Sequence, residues 1–134
     1  MKKLLISLLL FIQLSANDVK IEKTIYESIF SSLHNENKPV IYSDADVDSL
    51  GLGSEYFTLT KVCADADIVL MTQSALPVEC QAKVVFGTRY RHLKKEYVIG
   101  AFFWQKGRPN IVFQKEKLDK HQIILTNSLS AYVE

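Results

Sequence analysis

The stretch Val98-Ile-Gly-Ala-Phe-Phe-Trp-Gln105, then Lys106-Gly107-Arg108-Pro109, then Asn110-Ile-Val-Phe-Gln114 decides the fold class. Two apolar, aromatic runs flank a short polar segment with turn-forming residues. Gly107 supplies a positive φ without steric cost, and Pro109 suits the start of the returning strand. Together they predict a β-hairpin over 98–114. Upstream, Asp67-Ile-Val-Leu-Met71 is apolar throughout after its Asp, which predicts a strand buried on both faces. Val84-Val-Phe86 reads the same way. Val40-Ile-Tyr42, opened by Lys38-Pro39, predicts a first strand, and Tyr56–Val62 alternates well enough for a second. Ser43–Ser54 is polar and Gly-bearing, a loop or a short helix. Ser74–Gln81 reads as a connection.

Helices fill the remaining segments. Ile21, Ile25, Ile29 and Leu33 recur every four residues with Tyr26 and Phe30 beside them. That spacing predicts an amphipathic helix, capped by Asp18 and running to about His34. Lys115–His121 predicts a short helix around Leu118. Thr126 is placed to cap a last helix with Leu129, Tyr132 and Val133 on one face. Short strands alternating with helices predict an α/β sandwich. It is a single domain with a mixed sheet, N-terminal and C-terminal helices, and the hairpin at one edge.

The first sixteen residues belong to a different kind of segment. Met1-Lys2-Lys3 is a positive start. The eleven residues Leu4–Leu14 are apolar except Ser7 and Gln13, and Ser15-Ala16 offers small residues before Asn17. This order predicts a cleaved secretory signal peptide, residues 1–16, and a mature domain of residues 17–134 in the periplasm. A retained anchor is the competing reading, but a bilayer needs roughly 20 apolar residues. The mature chain is therefore expected not to insert stably in a membrane.

Removing 1–16 leaves 118 residues, enough for one real core. It also removes Lys2 and Lys3 but no acidic residue, so the formal charge passes from +1 to −1. A near-neutral exported domain is not built for bulk binding to nucleic acid, and none is expected as a partner.

The chain has two cysteines, Cys63 and Cys80. In an oxidising compartment an even count reads as a disulfide. Free buried thiols and a redox switch are the other readings. The pair lacks the spacing of a zinc site, and C-x-x-C is absent.

Three surface patterns could carry function. Asp44, Asp46 and Asp48, with Glu55 eleven residues after Asp44, imitate a calcium loop. Ser49 stands where such a loop needs Gly, so a solvated acidic loop is the better reading and no metal is expected. Arg89, Arg91, His92, Lys94 and Lys95 form a basic run beside Tyr90 and Tyr97, either a solvated face or a surface for an acidic partner. Trp104 adjoins Lys106-Gly107-Arg108, where Trp and Arg could anchor a partner unless Trp104 packs in the core. Arg89, Arg91, Lys94, Trp104 and Arg108 are thus the candidate partner-binding set.

Enzyme signatures are missing: G-x-S-x-G, H-E-x-x-H and the P-loop are all absent. His34, His92 and His121 stand in polar surroundings and read as surface residues. A non-enzyme without a cofactor is expected.

Several of these segments together resemble the YfiR family of small periplasmic proteins. They are the strand Val40–Tyr42, then Cys63-Ala-Asp-Ala-Asp67 leading into Ile68–Leu70. Ile99-Gly100 with Phe102-Phe103-Trp104 follows, then Arg108-Pro-Asn-Ile-Val-Phe113, Leu118, Ile123 and the last helix. The likeness spans about residues 24–133. It implies an α/β sandwich that restrains an inner-membrane diguanylate cyclase through the cyclase's periplasmic region, in cyclic-di-GMP signalling, with disulfides affecting competence. The chain departs from the family at Gln114, where Asn is common, and lacks a second cysteine pair. Its first strand has no Cys to partner Cys63, so by this resemblance Cys80 must serve. The expectation is an exported regulatory protein that binds a membrane signalling protein. The alternative is a periplasmic small-ligand or ion-binding domain resembling one lobe of a periplasmic binding protein.

Overall fold

A computed structural model describes residues 20–34, 38–45 and 55–134. In chain order they form helix α1 (20–33) and the strands and helices that follow. These are β1 (Val40–Ser43), β2 (Thr58–Thr60), β3 (Ile68–Met71), α2 (Val78–Gln81), β4 (Val84–Gly87), β5 (Val98–Gln105), β6 (Arg108–Phe113), α3 (Lys115–Lys120) and α4 (Asn127–Ser130). Short 3₁₀ helices at Cys63–Asp65 and Tyr90–Lys94 precede β3 and β5. The strands make one six-stranded mixed sheet in the order β2-β1-β3-β4-β5-β6. Every neighbouring pair is parallel except the β5–β6 hairpin. The α/β architecture with a hairpin at one edge is as the sequence predicts.

Both faces of the sheet are covered. On one, Tyr26, Ile29, Phe30 and Leu33 of α1 pack with Leu118 of α3 and Leu129 of α4 over Ile68, Leu70 and Phe86. On the other, Val69, Met71, Val85 and Val98 pack with Leu76, Cys63 and Cys80. All four residues of β3 are buried, which is why its sequence is a continuous apolar run rather than an alternating one. The buried stripe of α1 is narrower than its periodicity predicts. Ile21 is 43% exposed, and Ile25 is only partly covered. Asp18 lies outside the described residues.

The hairpin is tighter than expected. Arg108 and Pro109 already belong to β6, so the loop is the two residues Lys106-Gly107. Both have positive φ, 53° and 74°, the backbone of a type I′ turn whose twist suits the flanking strands. Three other segments differ from expectation. β2 is only three residues, half exposed at the sheet edge. Part of Ser74–Gln81 coils into α2. The last helix stops at Ser130, and Val133 pairs instead with Phe113 as an isolated bridge. Thr126 precedes α4 without capping it through its side chain.

Cys63 and Cys80 form a disulfide with Cα atoms 5.7 Å apart. It joins the segment entering β3 to the helix entering β4. Closing a loop of 17 residues removes unfolded-state freedom worth about 3 kcal/mol. Reduction of the bond should lower the midpoint of thermal unfolding by about 10 °C, read by circular dichroism with and without reductant. An unchanged midpoint would show that the bond contributes nothing to stability.

Candidate functional site

Four parallel strands, β1, β3, β4 and β5, point their carboxyl ends the same way. In such sheets this edge is where ligands bind. Strand order reverses between β1 and β3, and here the gap is bridged by protein. The Asp44 carboxylate accepts hydrogen bonds from the Thr72 N–H (2.7 Å), the Thr72 hydroxyl (2.6 Å) and the Gln73 N–H (3.0 Å). The next gap is tied by the Thr88 hydroxyl, which donates to the Met71 carbonyl at 2.9 Å.

Beyond β4 the edge opens. β5 is eight residues long and β4 is four. Gly87, the last residue of β4, pairs with Ala101, so Phe102–Gln105 project past it as a wall. A groove of about 720 Å³ lies against that wall. Its floor is Thr72 and Thr88. One side is Glu22 and Tyr26 from α1, and the other is Arg89, Tyr90 and Arg91. Trp104 stacks edge-on against Phe102, with centroids 6.0 Å apart, and Tyr90 against Phe103 at 5.6 Å. The Trp104 indole N–H donates to the Glu22 carboxylate at 2.5 Å, which fastens the hairpin to α1. Burial, aided by the Glu22 charge, pushes the Tyr26 phenol far above its ordinary range, so it stays protonated.

The sequence-derived partner set divides. Arg89, Arg91 and Trp104 meet at this groove. Lys94 lines a second cavity on the far side of Tyr90, with Gln114 and Glu116. Arg108 sits apart at the hairpin tip with Lys106 and Asn110. Trp104 is 36% exposed, at the rim rather than in the core. Tyr97 turns to the disulfide face, where its hydroxyl accepts the Leu76 N–H at 3.4 Å. Of the calcium candidates, Asp46 and Asp48 lie outside the described residues. Glu55 is exposed, and Asp44 is occupied as described above. Among the described residues no cluster of His, Cys, Asp and Glu could hold a metal ion.

His92 corrects the expectation most clearly. It is 1% exposed, not a surface residue. Its Nδ1 accepts the N–H groups of Thr88 (3.1 Å) and Arg89 (3.2 Å), so Nε2 carries the proton of the neutral ring. That Nε2 has no hydrogen-bond partner. Gly87 makes the burial possible, since a Cβ there would stand 2.6 Å from the His92 Cβ.

Thr72, Thr88, Glu22, Tyr26 and Phe103 were not among the site residues the sequence pointed to. The available signal was position: Thr72 and Thr88 directly follow β3 and β4 at the binding edge of a parallel sheet. Comparison with known proteins finds no relative: no protein-family model matches the chain, and neither does any curated protein or solved structure.

Burial lowers the His92 pKa below the ordinary value of 6.5, and Arg91 and Arg89 lower it further. The Gln73 carbonyl and Asp44 oppose them. Below pH 6.5 the unfolded chain therefore takes a proton that the folded chain resists, and stability falls as pH falls through that range. His121 acts in the same direction through burial and Lys120. Substituting His92→Asn, which keeps an acceptor near the Nδ1 position, should flatten the decline between about pH 7 and 5. His121→Asn provides the comparison. Urea midpoints across that range in the three proteins measure it, and an unflattened slope in His92→Asn would assign the effect elsewhere.

Proposed function

We propose that the chain is an exported, non-enzymatic regulatory protein that binds another protein through the carboxyl-edge groove. The partner is a membrane signalling protein. The resemblance to the YfiR family points to an inner-membrane diguanylate cyclase, engaged on its periplasmic side. The observation that carries this reading is the chemistry of the groove. Arg89, Arg91, Tyr90 and Trp104 are exposed there on a rigid floor, and Arg, Tyr and Trp are the residues in which binding energy concentrates. The polar groups of the floor are already used structurally. Asp44 accepts three hydrogen bonds, and the Thr72 and Thr88 hydroxyls donate inward. That arrangement suits recognition better than proton transfer or nucleophilic attack.

Export is supported by the disulfide between the chain's two cysteines, since such bonds persist in oxidising compartments. Among the described residues no helix is long and apolar enough to cross a membrane. The segment 1–16 read as a signal lies outside those residues. The protein recovered from the periplasmic fraction should begin at Asn17 by N-terminal sequencing. An intact Met1 on a protein confined to the cytoplasmic fraction would overturn export.

The groove reading separates two arginines that the sequence left equivalent. Arg91→Glu should reduce recovery of the partner from detergent-solubilised membranes by about tenfold or more, with the thermal midpoint preserved. Arg108→Glu, off the groove, should leave recovery within about twofold. Equal recovery for Arg91→Glu and wild type would remove the groove as the partner surface.

A further inference from the structure

We propose that the groove is also a small-molecule site, and that its ligand is an organic anion with a flat aromatic or heteroaromatic body. The carboxylate or phosphate is held by Arg89 and Arg91, and the ring lies against Tyr90, Phe103 and Trp104. The inference goes beyond the protein-binding reading and does not require it.

Shape is the first argument. A volume of about 720 Å³ falls within the range of small-molecule sites, roughly 300–1,000 Å³. The groove also stands at the carboxyl edge of a parallel sheet, where that class of fold places its ligands. Charge is the second. Among the described residues neither Arg89 nor Arg91 is paired with a carboxylate. Glu22, the acidic group in the lining, is occupied by the Trp104 indole N–H. The Thr88 and Arg89 N–H groups bond to His92, and the Thr72 and Thr88 hydrogens point to Asp44 and Met71. Beside the neutral Tyr26, Tyr90 and Gln105 side chains, the guanidinium groups are therefore the charged donors left to meet an anion, and their planar forks suit a carboxylate or a phosphate. Aromatic surface is the third argument. Tyr90 is 64% exposed and Trp104 36% exposed, and both are already held edge-on by Phe103 and Phe102. Rings fixed in this way lose little freedom when a flat ligand covers them, so the stacking is gained at small entropic cost.

Trp104 is the chain's single tryptophan, so its emission reports the groove directly. The protein purified from the exported fraction is titrated with 2-naphthoate, 2-naphthyl phosphate and the uncharged 2-naphthamide. Trp104 fluorescence and calorimetry are read in parallel. At least one anion should saturate below about 1 mM, and the tighter of the two names the head group. The amide should bind about tenfold or more weaker, and Arg89→Gln or Arg91→Gln should weaken the preferred anion by a similar factor. A thermal melt of each variant confirms folding. No saturation with either anion would overturn the proposal. So would equal affinity for the amide, which describes an apolar cleft only, or unchanged affinity in both arginine variants. These titrations contain no membrane partner, so their failure and a failure of the protein-binding reading are separate results.

Discussion

One extra residue in β5 sets the direction of everything that follows it. Val85 pairs with Val98, but Phe86 pairs with Gly100, so Ile99 is inserted into the ladder. A bulge of this kind reverses the alternation of side chains along the strand. Val98 packs on the disulfide face, whereas Ile99 and Phe102 both join the cluster under α1. Trp104, two residues beyond Phe102, falls on the same side and reaches Glu22. Phe103 faces the other way and meets Tyr90. Without the insertion these three rings would exchange faces. Trp104 would lose α1, and Tyr90 would lose Phe103.

The wall is apolar and the floor is polar, and they are held by different forces. Burial of Phe102 against Tyr26 and Trp104 fixes the wall. The floor depends on directional bonds at the strand ends, each worth about 0.5–1.5 kcal/mol net but costly to leave half made. Asp44 and Thr88 satisfy theirs. His92 does not, since its Nε2–H is buried without a partner. The ring is kept because its other nitrogen collects two backbone N–H groups that would otherwise be orphaned at the turn after β4. Gln114 stiffens the same turn from behind. Its side-chain amide donates to the carbonyls of Leu93 (2.9 Å) and Val98 (3.3 Å), joining the end of the 3₁₀ helix to the start of β5. Gln114 thus has a structural task of its own.

Much of the fold was legible because it is written locally. The apolar run of β3, the Lys106-Gly107 turn and the period of α1 each need only neighbouring residues to be recognised. The site was legible in its residue types and not in its geometry. Arg89, Arg91 and Trp104 could be chosen as binding residues, but nothing in their spacing shows that β5 outruns β4 and brings them together. Nor does spacing show that Tyr90 stands between Arg91 and Lys94, lining both cavities and assigning each cation to a different one. His92 was misread for a physical reason. Its neighbours Arg91 and Lys94 are exposed, and only the missing side chain of Gly87 lets the imidazole turn inward.

The disulfide and the groove act on opposite ends of the same two strands. Cys63 and Cys80 belong to the segments that enter β3 and β4, while Asp44, Thr72 and Thr88 fasten the ends at which those strands leave the sheet. Between the two clamps the strands are buried almost throughout. A load applied at one end meets a close-packed, hydrogen-bonded block before it reaches the other, and such interiors move as units rather than bending gradually. Opening the disulfide therefore bears first on stability, by freeing the unfolded chain. It can alter recognition only by loosening the two central strands as a pair. The same arrangement explains how the groove can leave Tyr90 and Trp104 exposed: rings that face water keep their orientation because the strands and helix behind them are fixed from both directions.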